Sequence, residues 1–459
     1  MRIVILGAGQ VGGTLAQNLA RENNDIFLID QDETRLQELQ YRLDIQTVRG
    51  NAAYPSVLIE AGIEQADMLI AVTNSDEINM MACQIAYSLF RTPTKIARIR
   101  SHNYYTYPQL FHNEHVPVDV CISPEKLVTD HIENLIDYPG VSQVLDFADG
   151  HVLMVTIKPM SSGLMVGKTI RQLHEHLQSI EARVVMVFRD KTVLEPQDDE
   201  HQIDGGDEVV FIASPQAIKQ ALIALGRYTH PNRRIIIAGG GHIGTELAQA
   251  LEKRYRIKVI DRSPDRTHEL VAQLHKGTVL QGDVADRDLL VNENIEFTDV
   301  FCAVTNDDEV NIMSCLQAKR LGARQVMALV NRNAYVDLIE GSNIDQAISP
   351  QLITIGSILT KLRRGNMVKV YRFQHGEAEA VELIIHGNAQ TSKVVGRSMD
   401  QLNLPAGSSI AAIFREGQVL MVDSQLVLQS GDHIILLILK KKYISSIESL
   451  FQVSLSFVS

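Results

Sequence analysis

Two glycine-rich stretches carry the residue types and spacing for nucleotide chemistry: GAGQVG, Gly7 to Gly12, and GGGHIG, Gly239 to Gly244. Each follows an apolar run, Ile3-Val4-Ile5-Leu6 in one case and Ile235-Ile236-Ile237-Ala238 in the other. A GxGxxG that leaves a strand and opens a helix is suited to hold a pyrophosphate. Gly7 and Gly239 permit the tight turn, Gly9 and Gly241 let the backbone approach the phosphates, and Gly12 and Gly244 let helix and sheet pack closely. Gln10-Val11 and His242-Ile243 then begin the helix whose unpaired N–H groups and positive dipole end face the anion. An acid ends the next apolar run in both places, Asp30 after Ile26-Phe27-Leu28-Ile29 and Asp261 after Val259-Ile260. There it would bond the two hydroxyls of an adenosine ribose and repel a 2′-phosphate, which disfavours NADP. Arg262 follows Asp261 and weakens that argument in the second copy. Ribose contacts alone leave NAD(H), ATP and ADP open.

Other candidate contacts lie further along. Gly50-Asn51 and Gly282-Asp283 follow the third strand, near where an adenine would lie. Thr73-Asn74 and Thr305-Asn306 end the fourth strand, at the crevice where open parallel sheets bind ligands. The run Thr-Asn-x-Asp-Glu reads equally well as a helix cap. Arg98 and Arg100 fall on one face of the fifth strand by its period of two and could pair with phosphate. Allowing a two-residue shift, the second copy has Ala328 and Val330 there, so the two sites should differ in ligand or affinity.

The elements that must position these residues come from a duplication. Gly7 maps onto Gly239, Gly50 onto Gly282 and Thr73 onto Thr305, each at an offset of 232. AVTNSDEINMMAC, residues 71–83, and AVTNDDEVNIMSC, residues 303–315, agree at 9 of 13 positions. Ser123-Pro124 aligns with Ser349-Pro350, GKTIRQL at 167–173 with GRSMDQL at 396–402, and GGDEVVFI at 205–212 with SGDHIILL at 430–437. The first part of each half alternates strands, near 2–6, 26–30, 45–49, 67–72, 95–99 and 118–121 in the N-terminal copy, with helical segments. That order predicts an α/β fold, a Rossmann-like doubly wound parallel sheet, twice in tandem. Each second part has alternating strand patterns and, around 167–177, one clear helix, and reads as a small α+β domain. The predicted domains are 1–138, 139–226, 232–365 and 366–459, with 227–234 linking the halves.

Composition limits the function. The chain has 459 residues, 45% hydrophobic and 21% charged, as in an ordinary globular protein, and a net charge of −12, which argues against nucleic acid as a partner. No run approaches the roughly 18–20 apolar residues of a membrane span, and Met1-Arg2 leads straight into a strand with no signal peptide. Membrane association would be peripheral or through a partner. The four cysteines form no CxxC and suggest a reducing compartment. His112/His115 and His174/His176 lack clustered partners, so no metal site is expected. Hydride transfer needs an acid/base and an orienting cation beside the nicotinamide. No His/Asp or Lys/Tyr set recurs in both halves, so no catalytic residue is assigned. An NAD-dependent dehydrogenase is the alternative reading.

The carriers GAGQVG, Asp30, Gly50-Asn51, AVTNSDE, Ser123-Pro124 and the C-terminal Gly205-Gly206-Asp207 resemble the RCK (KTN) family, which regulates potassium conductance. Two such units in tandem, over the whole chain, look like the regulatory subunits of bacterial Trk potassium uptake systems. The resemblance implies a Rossmann RCK-N domain, a crossover helix and a small RCK-C domain in each half. It implies NAD(H), or ATP and ADP, as regulatory ligands, and a homo-oligomer, dimer or tetramer, forming a ring of RCK domains under a Trk-type potassium-translocating membrane subunit. The location implied is cytoplasmic, peripheral on the inner face of the cell membrane. Carried over, Gly7, Gly9, Gly12, Asp30, Asn51, Thr73 and Arg100 line the first site, and Gly239, Gly241, Gly244, Asp261, Asp283 and Thr305 the second.

Overall fold

A computed structural model describes residues 1–21, 24–159, 163–190, 192–194, 200–226, 232–339, 342–361, 367–373, 378–439 and 443–452. The predicted linker falls largely on 227–231, outside the described residues.

In the first half, strands β1 (Arg2–Leu6), β2 (Asp25–Asp30), β3 (Gln46–Arg49), β4 (Met68–Ala71), β5 (Thr94–Arg98) and β6 (Val120–Ile122) are interleaved with helices. These are α1 (Gln10–Ala20), α2 (Glu33–Arg42), α3 (Pro55–Glu60), α4 (Asp76–Phe90), α5 (His102–Tyr105) and α6 (Pro124–Asp137). The chain continues through β7 (Gln143–Phe147), β8 (Val152–Ile157), α7 (Ile170–Leu177), β9 (Arg183–Arg189), β10 (Thr192–Leu194), β11 (Glu208–Ala213) and α8 (Pro215–Ala224).

The second half repeats this with β12 (Arg234–Ala238), α9 (His242–Leu251), β13 (Arg256–Asp261), α10 (Pro264–Gln273), β14 (Thr278–Gln281), α11 (Arg287–Asn292) and β15 (Val300–Ala303). Next come α12 (Asp308–Arg320), β16 (Gln325–Leu329), α13 (Asn333–Ile339), β17 (Gln346–Ile348) and α14 (Pro350–Lys361). The end of the chain carries β18 (Met367–Arg372), β19 (Glu379–Ile384), β20 (Ser408–Arg415), β21 (Gln418–Met421), β22 (His433–Ile438) and α15 (Ile444–Phe451).

One compact unit contains residues 1–130 and 234–361, hence both six-stranded sheets. Their orders are β3-β2-β1-β4-β5-β6 and β14-β13-β12-β15-β16-β17, parallel throughout. Helices on both faces explain why the central strands are unbroken apolar runs: Ile3, Val4, Ile5 and Leu6 are all fully buried. The order reverses between β1 and β4, and again between β12 and β15, opening the crevice at their carboxyl ends. Within this unit α14 of the second half packs against α1 of the first.

The other unit contains residues 131–233 and 362–459. Its two antiparallel sheets, β10-β9-β11-β8-β7 and β21-β20-β22-β19-β18, have the same topology. They share one core in which Phe147, Met186 and Phe188 meet Phe373, Ala380, Ile435 and Leu437. Lys369 Nζ and Tyr371 Oη both donate to Asp146 across that seam, the latter at 2.7 Å. The repeated Gly-Asp explains itself here: Asp207 and Asp432, each 1% exposed, receive a bidentate guanidinium from Arg189 and Arg415 at 2.7–2.8 Å. The similar GKTIRQL and GRSMDQL both form capping boxes, Thr169 with Gln172 and Ser398 with Gln401. Only the first grows into a helix. The second stops after one 3₁₀ turn, Met399–Gln401, where Leu402 turns extended.

Candidate nucleotide site

The glycine loops follow from steric constraint. Gly7 (φ 101°) and Gly239 (φ 107°) sit in the left-handed region. Gly7 N–H donates to Ile29 O, and Gly239 N–H to Ile260 O, both at 2.8 Å, locking the turn to the neighbouring strand. A Cβ on Gly12 would lie 1.8 Å from Gly7 O, and one on Gly244 1.9 Å from Gly239 O, so helix and loop can touch only as glycines. Gly9 and Gly241 differ: a Cβ there meets nothing within 4 Å. The protein itself does not require glycine at these two positions, whereas a phosphate approaching the backbone would. No side chain caps α1 or α9, while Asp32, Ser75, Ser263 and Asp307 cap α2, α4, α10 and α12. The N–H groups at the start of α1 and α9 are therefore open to an anion.

Asp30 and Asp261 are pre-aimed. Asp30 accepts from Ala8 N–H (2.5 Å) and Asp32 N–H (2.9 Å), and Asp261 from Gly240 N–H (2.7 Å) and Ser263 N–H (2.8 Å). Carboxylates held by two backbone amides retain acceptor capacity for ribose hydroxyls.

A cavity of about 780 Å³ opens at the first crevice and reaches into the second half of the same unit. It gathers the sequence-predicted Gly7, Gly9, Gln10, Val11, Asp30, Thr73, Asn74, Arg98 and Arg100, with His242, Ile243 and Asn306 from the second half. Gln31, Arg35, Glu125, Asn331 and Gln351 also line it and were not anticipated. Gly12, Asn51, Gly239, Gly241, Gly244, Asp261, Asp283 and Thr305 are not among its lining residues. Asn51 and Asp283 turn their side chains back on the loop, accepting from Ala53 N–H and Ala285 N–H at 2.9 Å.

Arg98 is 8% exposed, yet its Nε has no hydrogen-bond partner among the described residues. A buried guanidinium with an unmet donor beside a cavity is costly unless an anion completes it. Arg100 lies just beyond the end of β5, half exposed, with its Nε 3.8 Å from Glu125 Oε1. The other oxygen of Glu125, Oε2, is buried with no partner among the described residues.

Two expectations need correction. Strand pairing aligns Ala97 with Ala71 and Ala328 with Ala303, so the counterparts of Arg98 and Arg100 are Leu329 and Asn331, one residue away from Ala328 and Val330. Asn79 Nδ2 donates to Arg98 O and Asn311 Nδ2 to Leu329 O, confirming the register. Thr73 and Thr305, moreover, do not cap the helices. Ser75 and Asp307 do, and each threonine bonds instead through N–H and Oγ1 to a buried asparagine Oδ1, Asn79 or Asn311, at 2.7–3.0 Å. These asparagines organise both switch points. The signal for them is the same polar residue at the same place in both copies of a buried helix.

Three of the four cysteines are buried, and His174 and His176 bond to backbone groups. Burial pushes the Cys121 and Cys302 thiols up to about 12, and Cys83 and Cys315 further still, so none is a thiolate at neutral pH. His174 Nε2 accepts from Val184 N–H at 3.1 Å, and His176 bonds Ala224 O at 3.4 Å. No helix is long and apolar enough to cross a membrane among the described residues.

Two parallel sheets with glycine loops, each followed by a small antiparallel sheet, define a tandem chain of the RCK class. The TrkA-N domain model matches residues 3–124 and 235–350, and the TrkA-C domain model residues 152–225 and 389–452. Trk system potassium uptake protein TrkA of Halomonas elongata is 50% identical over 457 residues, with full coverage of both chains. Those of Vibrio alginolyticus and Haemophilus influenzae are 48% and 44% identical over 459 residues, again in full. The chain belongs to the TrkA family. The crystal structure of the GsuK RCK domain shares the fold at 19% identity and a TM-score of 0.61, covering 98% of this chain and 94% of that one. The GsuK channel bound to NAD matches at 18% and 0.60, covering 98% and 78%.

Proposed function

We propose that this protein is a cytoplasmic regulatory subunit that binds NAD(H), with ATP or ADP as competing ligands, and gates a Trk-type potassium-translocating membrane protein on which it docks peripherally. The observation that carries the reading is the convergence, on one cavity, of the uncapped start of α1, the aimed Asp30 carboxylate and the unmet Nε of buried Arg98. In this reading Asp30 holds the adenosine ribose, Gly9 to Val11 cradle the phosphates, and Arg98 and Arg100 neutralise their charge. Thr73 and Asn74 would meet the far half of the ligand.

The four domains lie at 1–138, 139–226, 232–365 and 366–459, and copies of the chain assemble into a ring of RCK domains, as a dimer or tetramer. The role needs no bond-making. A nucleotide that binds two conformations with different affinity shifts their balance by that difference, and a coupling of roughly 1–3 kcal/mol would change opening about five- to 150-fold. Family membership supports the potassium-uptake context, and the TrkA name of full-length relatives fits a subunit without catalytic residues. The test is potassium flux through the reconstituted membrane partner. Asp30→Ala with Asp261→Ala should abolish the response to NADH, ADP and ATP; a response that survives would overturn the reading. Sustained oxidation of NADH by a keto acid, followed by absorbance, would instead revive a dehydrogenase.

A further inference from the structure

The first glycine loop is not held by its own half alone. Gln351, the second residue of α14 in the other half, is 8% exposed and spends both donors of its amide on α1. Its Nε2 donates to Gln10 O at 3.0 Å and to Thr14 Oγ1 at 2.7 Å, across 341 and 337 residues of sequence. Gln10 O and Val11 N–H belong to one peptide group. Val11 N–H is among the amides that α1 leaves unpaired at its start, and Val11 lines the cavity. A bond to the carbonyl of a peptide group polarises its N–H, strengthening that donor by about 10–30%. The same bond fixes the direction of the first turn.

The reverse contact is chemically unavailable. Since Ser123-Pro124 aligns with Ser349-Pro350, the counterpart of Gln351 is Glu125. An ionised carboxylate cannot donate to the first carbonyl of α9. Glu125 instead stands in the cavity with Oε2 unpartnered among the described residues and Oε1 3.8 Å from Arg100 Nε.

We infer that Gln351 is a positioning residue for the first-half nucleotide site: the second half completes that site by clamping the peptide group whose N–H faces the phosphates, and the first half does not return the clamp. The inference rests on the proposed nucleotide binding. It deepens that reading by making first-site affinity depend on the seating of α14 on α1.

The test is NADH titration of the full chain by calorimetry, with Gln351→Ala, Gln351→Glu and Thr14→Val. Each is made in an Asp261→Ala background, which isolates the first site, and in an Asp30→Ala background, which isolates the second. In the first background both Gln351 variants should weaken NADH about three- to tenfold, as expected for one lost buried hydrogen bond, and Thr14→Val by less than threefold. In the second background NADH binding should be unchanged, which a merely structural loss of folding would not leave so. Unchanged first-site affinity in both Gln351 variants, or equal losses at both sites, would overturn the inference while leaving the function intact. No NADH, ADP or ATP binding by the unsubstituted chain would overturn both.

Discussion

Arg35 and Arg266 occupy the same place in the two halves, three residues past the helix caps Asp32 and Ser263, yet they behave differently. Arg35 pairs with Asp32 at 3.1 Å, stays largely exposed and lines the cavity. Arg266 has no carboxylate at its cap and finds Thr245 where the first half has Gly13. It folds onto the glycine loop, donating to Gly240 O and, at 3.0 Å, to Thr245 Oγ1, with Glu269 holding its remaining end. Two substitutions thus turn a cation facing the ligand space into an internal strut. Leu329 and Asn331, in place of Arg98 and Arg100, take the comparison further in the same direction. Loops that obey the same steric rules end with different charge: the first half keeps its cations on the cavity, and the second has spent or lost them.

The strongest way to probe what the halves share is Gly12→Ala or Gly244→Ala. Either Cβ would overlap a backbone carbonyl, at 1.8 or 1.9 Å, that cannot swing aside. Each should destabilise the Rossmann unit by about 3 kcal/mol or more, read as loss of its thermal unfolding transition. Gly9→Ala, with nothing within 4 Å, should leave that transition in place and remove NADH binding at the first site.

What the halves do not share is probed by Arg98→Ala. Losing a charge-assisted contact should weaken NADH and ADP roughly ten- to 100-fold at the first site. Leu329→Ala should leave second-site affinity within about twofold, since it removes no donor. Equal losses from the two substitutions would break the comparison. A smaller effect is expected from Thr245→Gly, which removes one of the acceptors holding Arg266. Freed toward the ligand space as Arg35 is, Arg266 should raise second-site affinity about two- to fivefold by calorimetry.

A separate prediction concerns pH. His131 on α6 is partly buried, and desolvation by its surroundings holds its imidazole down to about 4 against an ordinary 6.5; the aligned residue on α14 is Ser357. The fold keeps the ring neutral while the unfolded chain takes up the proton first. Its contribution is therefore complete above about pH 6.5 and is lost as pH falls from there toward 4. His131→Ser should flatten urea-unfolding stability across that window; an unchanged slope would place the acid sensitivity elsewhere.

Much of this was legible in the residues, for reasons the structure makes plain. Unbroken apolar runs such as Ile3-Val4-Ile5-Leu6 mark strands buried on both faces, and Gly7 and Gly12, with their counterparts Gly239 and Gly244, are dictated by local backbone geometry. What was hidden depends on lengths and on partners. Ala71 to Ala97 spans one residue more than Ala303 to Ala328, because α4 ends in a left-handed Arg91 whereas α12 ends earlier, before Gly322. Spacing alone could not place that single residue, and only the paired strands set Leu329 opposite Arg98. Gln351 was invisible for another reason. Its significance lies in two bonds to the opposite half, and a glutamine at the start of a helix carries no signal of its own.

The central claim, that the first half is the stronger clamp, is tested most directly by NADH calorimetry of the full chain with Asp30→Ala and Asp261→Ala made separately. Asp30→Ala should abolish the tighter binding event and Asp261→Ala should leave it intact. Retention of the tighter event in Asp30→Ala, with its loss in Asp261→Ala, would contradict the account.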